Sequence, residues 1–215
     1  MRKKLLGEFL GTFILMFVGT GAIIVNYQSK SITPLGISLL FGLIIAALIY
    51  TFRHISGAHF NPVVTISLFL LKDMSLIDTI KYIVAQIIGA IAASSTLLVL
   101  FGNVDKLGAT QTTVSWQKTF IIEFILTFIL ILIVLSSAVH KKAIKSLSPI
   151  AIGGTIAAEA MFCGHITGAS MNPARSIGPA LMSGYYDNLW IYIIATIFGG
   201  VAATFIYKYL ADETK

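Results

Sequence analysis

Two asparagine-proline pairs are the residues in this chain best suited to chemistry, and the chemistry they could do is hydrogen bonding to a neutral solute. Residues 54–65 read H-I-S-G-A-H-F-N-P-V-V-T and residues 165–176 read H-I-T-G-A-S-M-N-P-A-R-S, identical at six of twelve positions. Asparagine is a favoured N-cap and proline a favoured first helical residue, so Asn61-Pro62 and Asn172-Pro173 each predict a helix start. The asparagine carbonyl oxygen can cap its own helix while the NH2 group stays free to donate into a lumen. Aspartate would cap as well but would add a negative charge, and serine would offer only one donor.

The elements that must position these pairs are read from hydropathy. The chain has 215 residues, 57% hydrophobic and 11% charged, with a mean hydropathy of +0.90, which marks an integral membrane protein. A span takes roughly 20 apolar residues. Six runs qualify, at 5–25, 35–52, 79–101, 119–139, 147–164 and 189–210. The apolar stretches 61–71 and 172–182 are about half that length and predict half-helices. The fold class expected is an all-α membrane protein with six transmembrane helices and two re-entrant half-helices. The halves repeat beyond the motifs, since G-E-F-L-G-T-F-I-L around Glu8 resembles I-E-F-I-L-T-F-I-L around Glu123. Each half, about 1–105 and 115–215, holds three spans, so the second enters from the opposite face. The expectation is one channel-like domain built as an inverted repeat.

Charge sets the orientation. With the N-terminus cytoplasmic, that side carries Arg2, Lys3, Lys4, Arg53, Lys72, Lys81, Lys141, Lys142, Lys145, Lys208 and Lys215, eleven of the fifteen basic residues. Lys30, Lys106, Lys118 and Arg175 fall on the other side. Both termini are therefore expected in the cytoplasm of a multi-pass protein of the cell membrane, with the half-helices meeting N-terminus to N-terminus at the midplane. The net charge of +6 reads as this orientation signal and not as a nucleic-acid surface. Met1-Arg2-Lys3-Lys4 is expected to open a retained first span, since the apolar run after it is too long for a signal peptide and no clear A-x-A cleavage site follows. Cys163 is the only cysteine, which excludes an intramolecular disulfide or a CxxC motif. No histidine spacing indicates a metal, and no cofactor is expected. Gly11, Gly89, Gly153-Gly154 and Gly199-Gly200 are expected at close helix crossings. Residues 102–116 read as an ordinary connecting loop.

Irregular backbone at membrane depth must be buried in protein or line a wet path, so residues 54–60 and 165–171 are expected to offer carbonyl acceptors along such a path. Each following half-helix aims about half an elementary charge, positive, at the meeting point, where cations are disfavoured. A water there would accept from Asn61 and Asn172 together. Its hydrogens would turn outward, breaking a proton-conducting chain.

These motifs, with Gln86 and Gly89 in the third span, S-G-A-H-F-N-P and G-A-S-M-N-P-A-R-S-I-G-P-A, resemble an aquaporin of the major intrinsic protein family, of prokaryotic type, over essentially the whole chain. The resemblance implies a homotetramer in the bilayer whose protomers each pass water and small neutral solutes while excluding ions and protons. It makes Asn61-Pro62-Val63 and Asn172-Pro173-Ala174 the pore midplane. Val63 stands where the family has alanine, near the opposing proline, and a small steric effect is expected. By family spacing the selectivity constriction is Phe41, Ala160, Ala169 and Arg175. Strict water channels have histidine where this chain has Ala160. Glycerol channels have bulky aromatics, with aspartate after the arginine, where this chain has Ser176. The aperture is expected to be wide, passing water with glycerol, urea, ammonia or hydrogen peroxide. The resemblance further implies that Glu8 and Glu123 accept hydrogen bonds from the loops before each half-helix, and that His59 sits at the cytoplasmic pore mouth. His54 and His165, present in both copies, are expected to hold the loops, and His140 to be a solvated loop residue. Glu159 either turns inward or lends the vestibule an acceptor.

Two alternatives remain at this stage. One is a solute-preferring, glycerol-facilitator-type channel; the other is an inverted-repeat secondary transporter, which would want an ionisable residue at the midplane. An enzyme is not expected, because the intramembrane set offers no nucleophile paired with a base and no HExxH.

Overall fold

Six helices among the described residues, 1–212 of the computed structural model, are long and apolar enough to cross a membrane. In chain order the helices are α1 (Arg2–Ser29), α2 (Pro34–Ser56), α3 (Pro62–Leu70), α4 (Leu76–Phe101), α5 (Trp116–Val134), α6 (Ser148–Thr167), α7 (Pro173–Ser183) and α8 (Leu189–Asp212). A π-helical turn carries α5 on to Val139. No strand occurs among the described residues. The short α3 and α7 are the two half-helices, each opened by its asparagine cap and a proline at N1. Lys215, counted above for orientation, lies outside the described residues.

α2 and α6 run on to Ser56 and Thr167, several residues past the fall in hydropathy, until Gly57 (φ 93°) and Gly168 (φ 84°) stop them in the left-handed conformation. Nothing in Arg53-His54-Ile55 or Gly164-His165-Ile166 breaks a helix; the glycine does. The irregular backbone is thus five residues per half, 57–61 and 168–172, shorter than hydropathy indicated.

The most extensive helix pairings are α5 with α8, α1 with α4 and α2 with α6. The first two are the same crossing repeated. A Cβ on Gly89 would lie 2.5 Å from the carbonyl oxygen of Phe9, and one on Gly199 would lie 2.3 Å from that of Phe124. Phe9 and Phe124 directly follow Glu8 and Glu123, so each crossing sets a glutamate at the same height in its half. Gly11 and Gly200 depart from the expectation of helix crossings, because each makes room for a side chain. A Cβ on Gly11 would strike the Phe60 ring at 1.9 Å, and one on Gly200 would strike Cγ1 of Val63 at 2.0 Å. Gly154 has open space around it, and only Gly153 meets a neighbouring helix.

The valine at position 63 therefore has a physical reason. Its branched side chain, wholly buried, fills the space that Gly200 leaves open on α8. Gly200→Ala is expected to cost about 1–3 kcal/mol by overpacking, Val63→Ala to change flux only modestly, and the double variant to recover most of the loss. Thermal unfolding in detergent checks this; additive losses in the double variant would remove the pairing.

Residues 102–116 are not an ordinary connection. Asp105, Lys106 and Leu107 take left-handed backbone with φ of 44°, 53° and 56°, and the wholly buried Leu107 packs with Ile24 and Leu97. The loop is thereby anchored between helices, and the Gly108 carbonyl is brought within reach of Arg175.

Candidate pore

Each half carries one buried glutamate whose two oxygens gather the turn before the half-helix. Glu8 Oε1 accepts from the Ser56 hydroxyl at 2.6 Å and the His59 amide at 3.0 Å, and Oε2 accepts from the Phe60 amide and Gln86 Nε2, both at 2.8 Å. Glu123 accepts from the Thr167 hydroxyl at 2.7 Å, from the Ser170 amide at 3.0 Å and from the Met171 amide at 3.1 Å. Both glutamates are wholly buried. Every amide of an irregular turn at membrane depth needs such a partner.

Two tyrosines complete the arrangement. Tyr82 donates to the Ser56 carbonyl and Tyr192 to the Thr167 carbonyl, each at 2.8 Å, so each holds the last residue of the helix entering its turn. Sequence reading missed them. The signal was present, since they follow Asn61 and Asn172 by twenty-one and twenty residues in the repeat. His54 and His165, expected to hold the loops, are both exposed and make no hydrogen bond to the turns among the described residues. Ser56 and Thr167, two residues on, do that work because the helices extend that far. His140 is half-buried with its ring 6.3 Å from that of Tyr207, so it is not simply solvated.

The turns drive Phe60 (φ 51°) and Met171 (φ 53°) into left-handed backbone, which directs their carbonyls across the molecular midplane. Asn61 Nδ2 donates to the Met171 carbonyl at 2.8 Å, and Asn172 Nδ2 donates to the Phe60 carbonyl at 2.9 Å. The asparagine oxygens cap their own helices, Asn61 Oδ1 from the Val63 amide at 2.9 Å and Asn172 Oδ1 from the Ala174 amide at 3.0 Å. One hydrogen of each NH2 is thus spent on a latch between the halves. That refines the sequence reading, which left both free; a single N–H per asparagine remains for a solute.

A cavity of about 710 Å³ runs past this latch, from Pro34, Asp105 and Gln111 at one mouth to Arg53 and Val139 at the other. Asn61, Asn172, His59, Phe41, Ala160, Ala169 and Arg175 all line it. Pro62, Val63, Pro173 and Ala174 do not; the prolines open the half-helices, and Val63 and Ala174 pack wholly buried behind the latch. The lining is largely apolar side chains interrupted by turn backbone and these few polar groups.

The Arg175 guanidinium is held over the cavity by donating Nη1 to the Gly108 carbonyl at 2.7 Å, with its carbon 5.5 Å from the centre of the Phe41 ring. Phe41 in turn lies over Gly19, where a Cβ would meet its ring at 2.3 Å. Ala160 and Ala169 line the same cavity with side chains that are only methyl groups. His59 Nδ1 sits 3.0 Å from the Thr65 hydroxyl, its ring 5.0 Å from that of Tyr82. At the other mouth, burial pushes the Asp105 carboxyl above its ordinary pKa, against a hydrogen bond from Gln111 and the charge of Lys106. Glu159 turns inward. It is buried, does not line the cavity, and neither of its oxygens has a hydrogen-bond partner among the described residues.

Comparison with known proteins agrees with this architecture. The model of the major intrinsic protein family matches residues 1–207. Nodulin-26 of Glycine max is 41% identical over 99% of this chain and 82% of its own length. Aquaporin NIP3-1 of Arabidopsis thaliana is 40% identical over 99% of this chain and 69% of its own. The X-ray structure of the aquaglyceroporin from Plasmodium falciparum superposes with a TM-score of 0.83 at 26% identity, covering 96% of this chain and 95% of that one. With two mirrored half-helices latched by their asparagines beside one continuous cavity, the chain belongs to the major intrinsic protein family and is a membrane channel for water and small neutral solutes.

Proposed function

We propose that the pore conducts water together with small neutral solutes such as glycerol, urea, ammonia or hydrogen peroxide, and excludes protons and ions. The observation that carries this reading is the lining of the constriction, where Phe41 and Arg175 share the cavity wall with Ala160 and Ala169, whose side chains are single methyl groups. A small polyol needs width and a few donors, and the paired alanines supply the width. Arg175 supplies donors and repels cations, while the asparagine N–H groups orient each passing oxygen at the midplane. Two helix N-termini converging there add positive potential against protons.

Glu8 and Glu123 act as supports of the two turns, and His59 as a polar group at the mouth nearer the termini. The whole chain forms one channel domain from two inverted halves. The excess of lysine and arginine on the face bearing the termini supports a plasma-membrane protein with both termini cytoplasmic. The exposed apolar belts of the spans support burial in lipid, with family precedent favouring a homotetramer, and the protein is a channel rather than an enzyme. A second reading, a solute-preferring channel of the glycerol-facilitator type, is favoured by the same two alanines.

Ala160→His separates the possibilities. The imidazole would narrow the cavity that Ala160 shares with Phe41, so glycerol and urea permeability should fall at least tenfold while water permeability falls no more than about twofold to threefold. Stopped-flow light scattering of proteoliposomes reads both. A native protein that passes water and rejects every small solute would overturn the wide-aperture reading, and one that passes glycerol but little water would establish the second.

A further inference from the structure

The pore wall holds a second arginine, at the mouth nearer the termini, and the constriction does not account for it. On α2 the residues that line the cavity recur every three or four positions, as Ser38, Phe41, Ile45, Ile49 and Arg53, one stripe of the helix. On α6 they are Ile152, Ile156, Ala160 and Gly164, at every fourth position. Arg53 ends the α2 stripe twelve residues beyond Phe41, about 18 Å along the axis. Ser148, wholly buried, stands four residues before Ile152 at the start of α6.

Arg53 joins the two stripes where they end. Its Nη1 donates to the Lys145 carbonyl and to the Ser148 hydroxyl, and that hydroxyl donates to the same carbonyl at 2.9 Å. The other mouth is built alike, with Arg175 on the cavity wall giving its Nη1 to the Gly108 carbonyl. Each arginine is thus tied by one nitrogen to a connecting segment. Among the described residues no protein acceptor takes up the three N–H groups on Nε and Nη2 of Arg53, and no carboxylate pairs with it.

Between the asparagine latch and this mouth the wall is largely apolar, made by Val64, Leu68, Val134 and Ala138, with His59 among them. His59 already has its Nδ1 paired with Thr65. Water crosses such a stretch bonded to the waters before and behind it. A triol or an amide displaces those neighbours, and each polar group it leaves without a partner raises the barrier. We propose that Arg53 is a specificity-determining residue of the channel, a second donor station that bonds the hydroxyl or carbonyl oxygen of a polyol or urea at the inner end of the apolar stretch. Its loss penalises solutes and spares water. The inference rests on the reading that glycerol and urea pass.

Arg53→Met keeps most of the side-chain length and removes every donor, and Arg53→Ala also opens space. Stopped-flow scattering of proteoliposomes, scaled to reconstituted protomers, reads glycerol, urea and water. In both variants glycerol and urea permeability should fall at least about fivefold, the loss of one hydrogen bond of ordinary strength, while water permeability changes by less than about twofold. Glycerol flux should also become more steeply temperature-dependent, and Arg53→Lys, which keeps a donor, should recover part of the loss. Higher glycerol flux in Arg53→Ala would make the arginine a plug that acts by width, and equal losses for water and solutes would make it a structural tie between α2 and Lys145. Either result overturns the station, as do unchanged fluxes in Arg53→Met. A native channel that rejects glycerol and urea would overturn the wide aperture, and this station with it, before any variant is measured.

Discussion

Glu8→Ala is expected to leave almost no folded channel. Four donors converge on this carboxylate, from Ser56, His59, Phe60 and Gln86. The serine and glutamine side chains can turn to other partners, but the His59 and Phe60 amides are fixed by the turn and face a dry interior. Each unpaired buried amide costs about 1–3 kcal/mol, so the two together cost about 2–6 kcal/mol, a large part of the 5–15 kcal/mol typical of a whole domain. Glu8→Gln is no rescue, since its NH2 group would oppose donors at one of the two positions. Glu123→Ala should behave alike, through the Ser170 and Met171 amides. Yield of monodisperse protein in detergent and its unfolding temperature give the readout. A Glu8→Ala protein as stable as the native one, with equal water flux per protomer, would show that the turn is held by something else.

The glutamates were legible in the sequence because each sits in a long local match between the halves, and the half-helices because cap, proline and apolar length all fall within a dozen residues. What could not be read depended on partners far apart in the chain. Val63 meets Gly200 across 137 positions, and a side chain facing a missing one leaves no local signature. Tyr82 and Tyr192 lie in apolar spans where an aromatic is unexceptional, and only the turn carbonyl at the other end gives each a purpose. The histidines misled for the opposite reason. Their identity in both copies stood out, yet they sit on the last exposed turn of α2 and α6, and the plain Ser56 and Thr167 beside them reach the glutamates. The loop at 102–116 was misjudged from its polar composition, though its one leucine marked the anchoring point.

That loop bears directly on the proposed constriction, because the Gly108 carbonyl holds the Arg175 guanidinium. Arg175→Val is expected to let cations through while water flux holds or rises. At about 5 Å and an effective dielectric of about 20, a unit positive charge opposes another by roughly 3 kcal/mol, or about two orders of magnitude in passage. The half-helix ends still contribute their smaller repulsion at the midplane, so exclusion weakens by that factor without vanishing. Arg175→Lys keeps the charge but loses the planar fork that reaches the Gly108 carbonyl. It should therefore still exclude cations while the loop over the pore loosens, which separates the electrostatic role of the residue from its structural one. Proteoliposomes loaded with a pH-sensitive dye, under a potassium gradient, read the leak, and stopped-flow scattering reads water on the same vesicles. If Arg175→Val leaks no more than the native channel, the barrier to cations resides wholly at the asparagine latch, and the constriction selects by width alone.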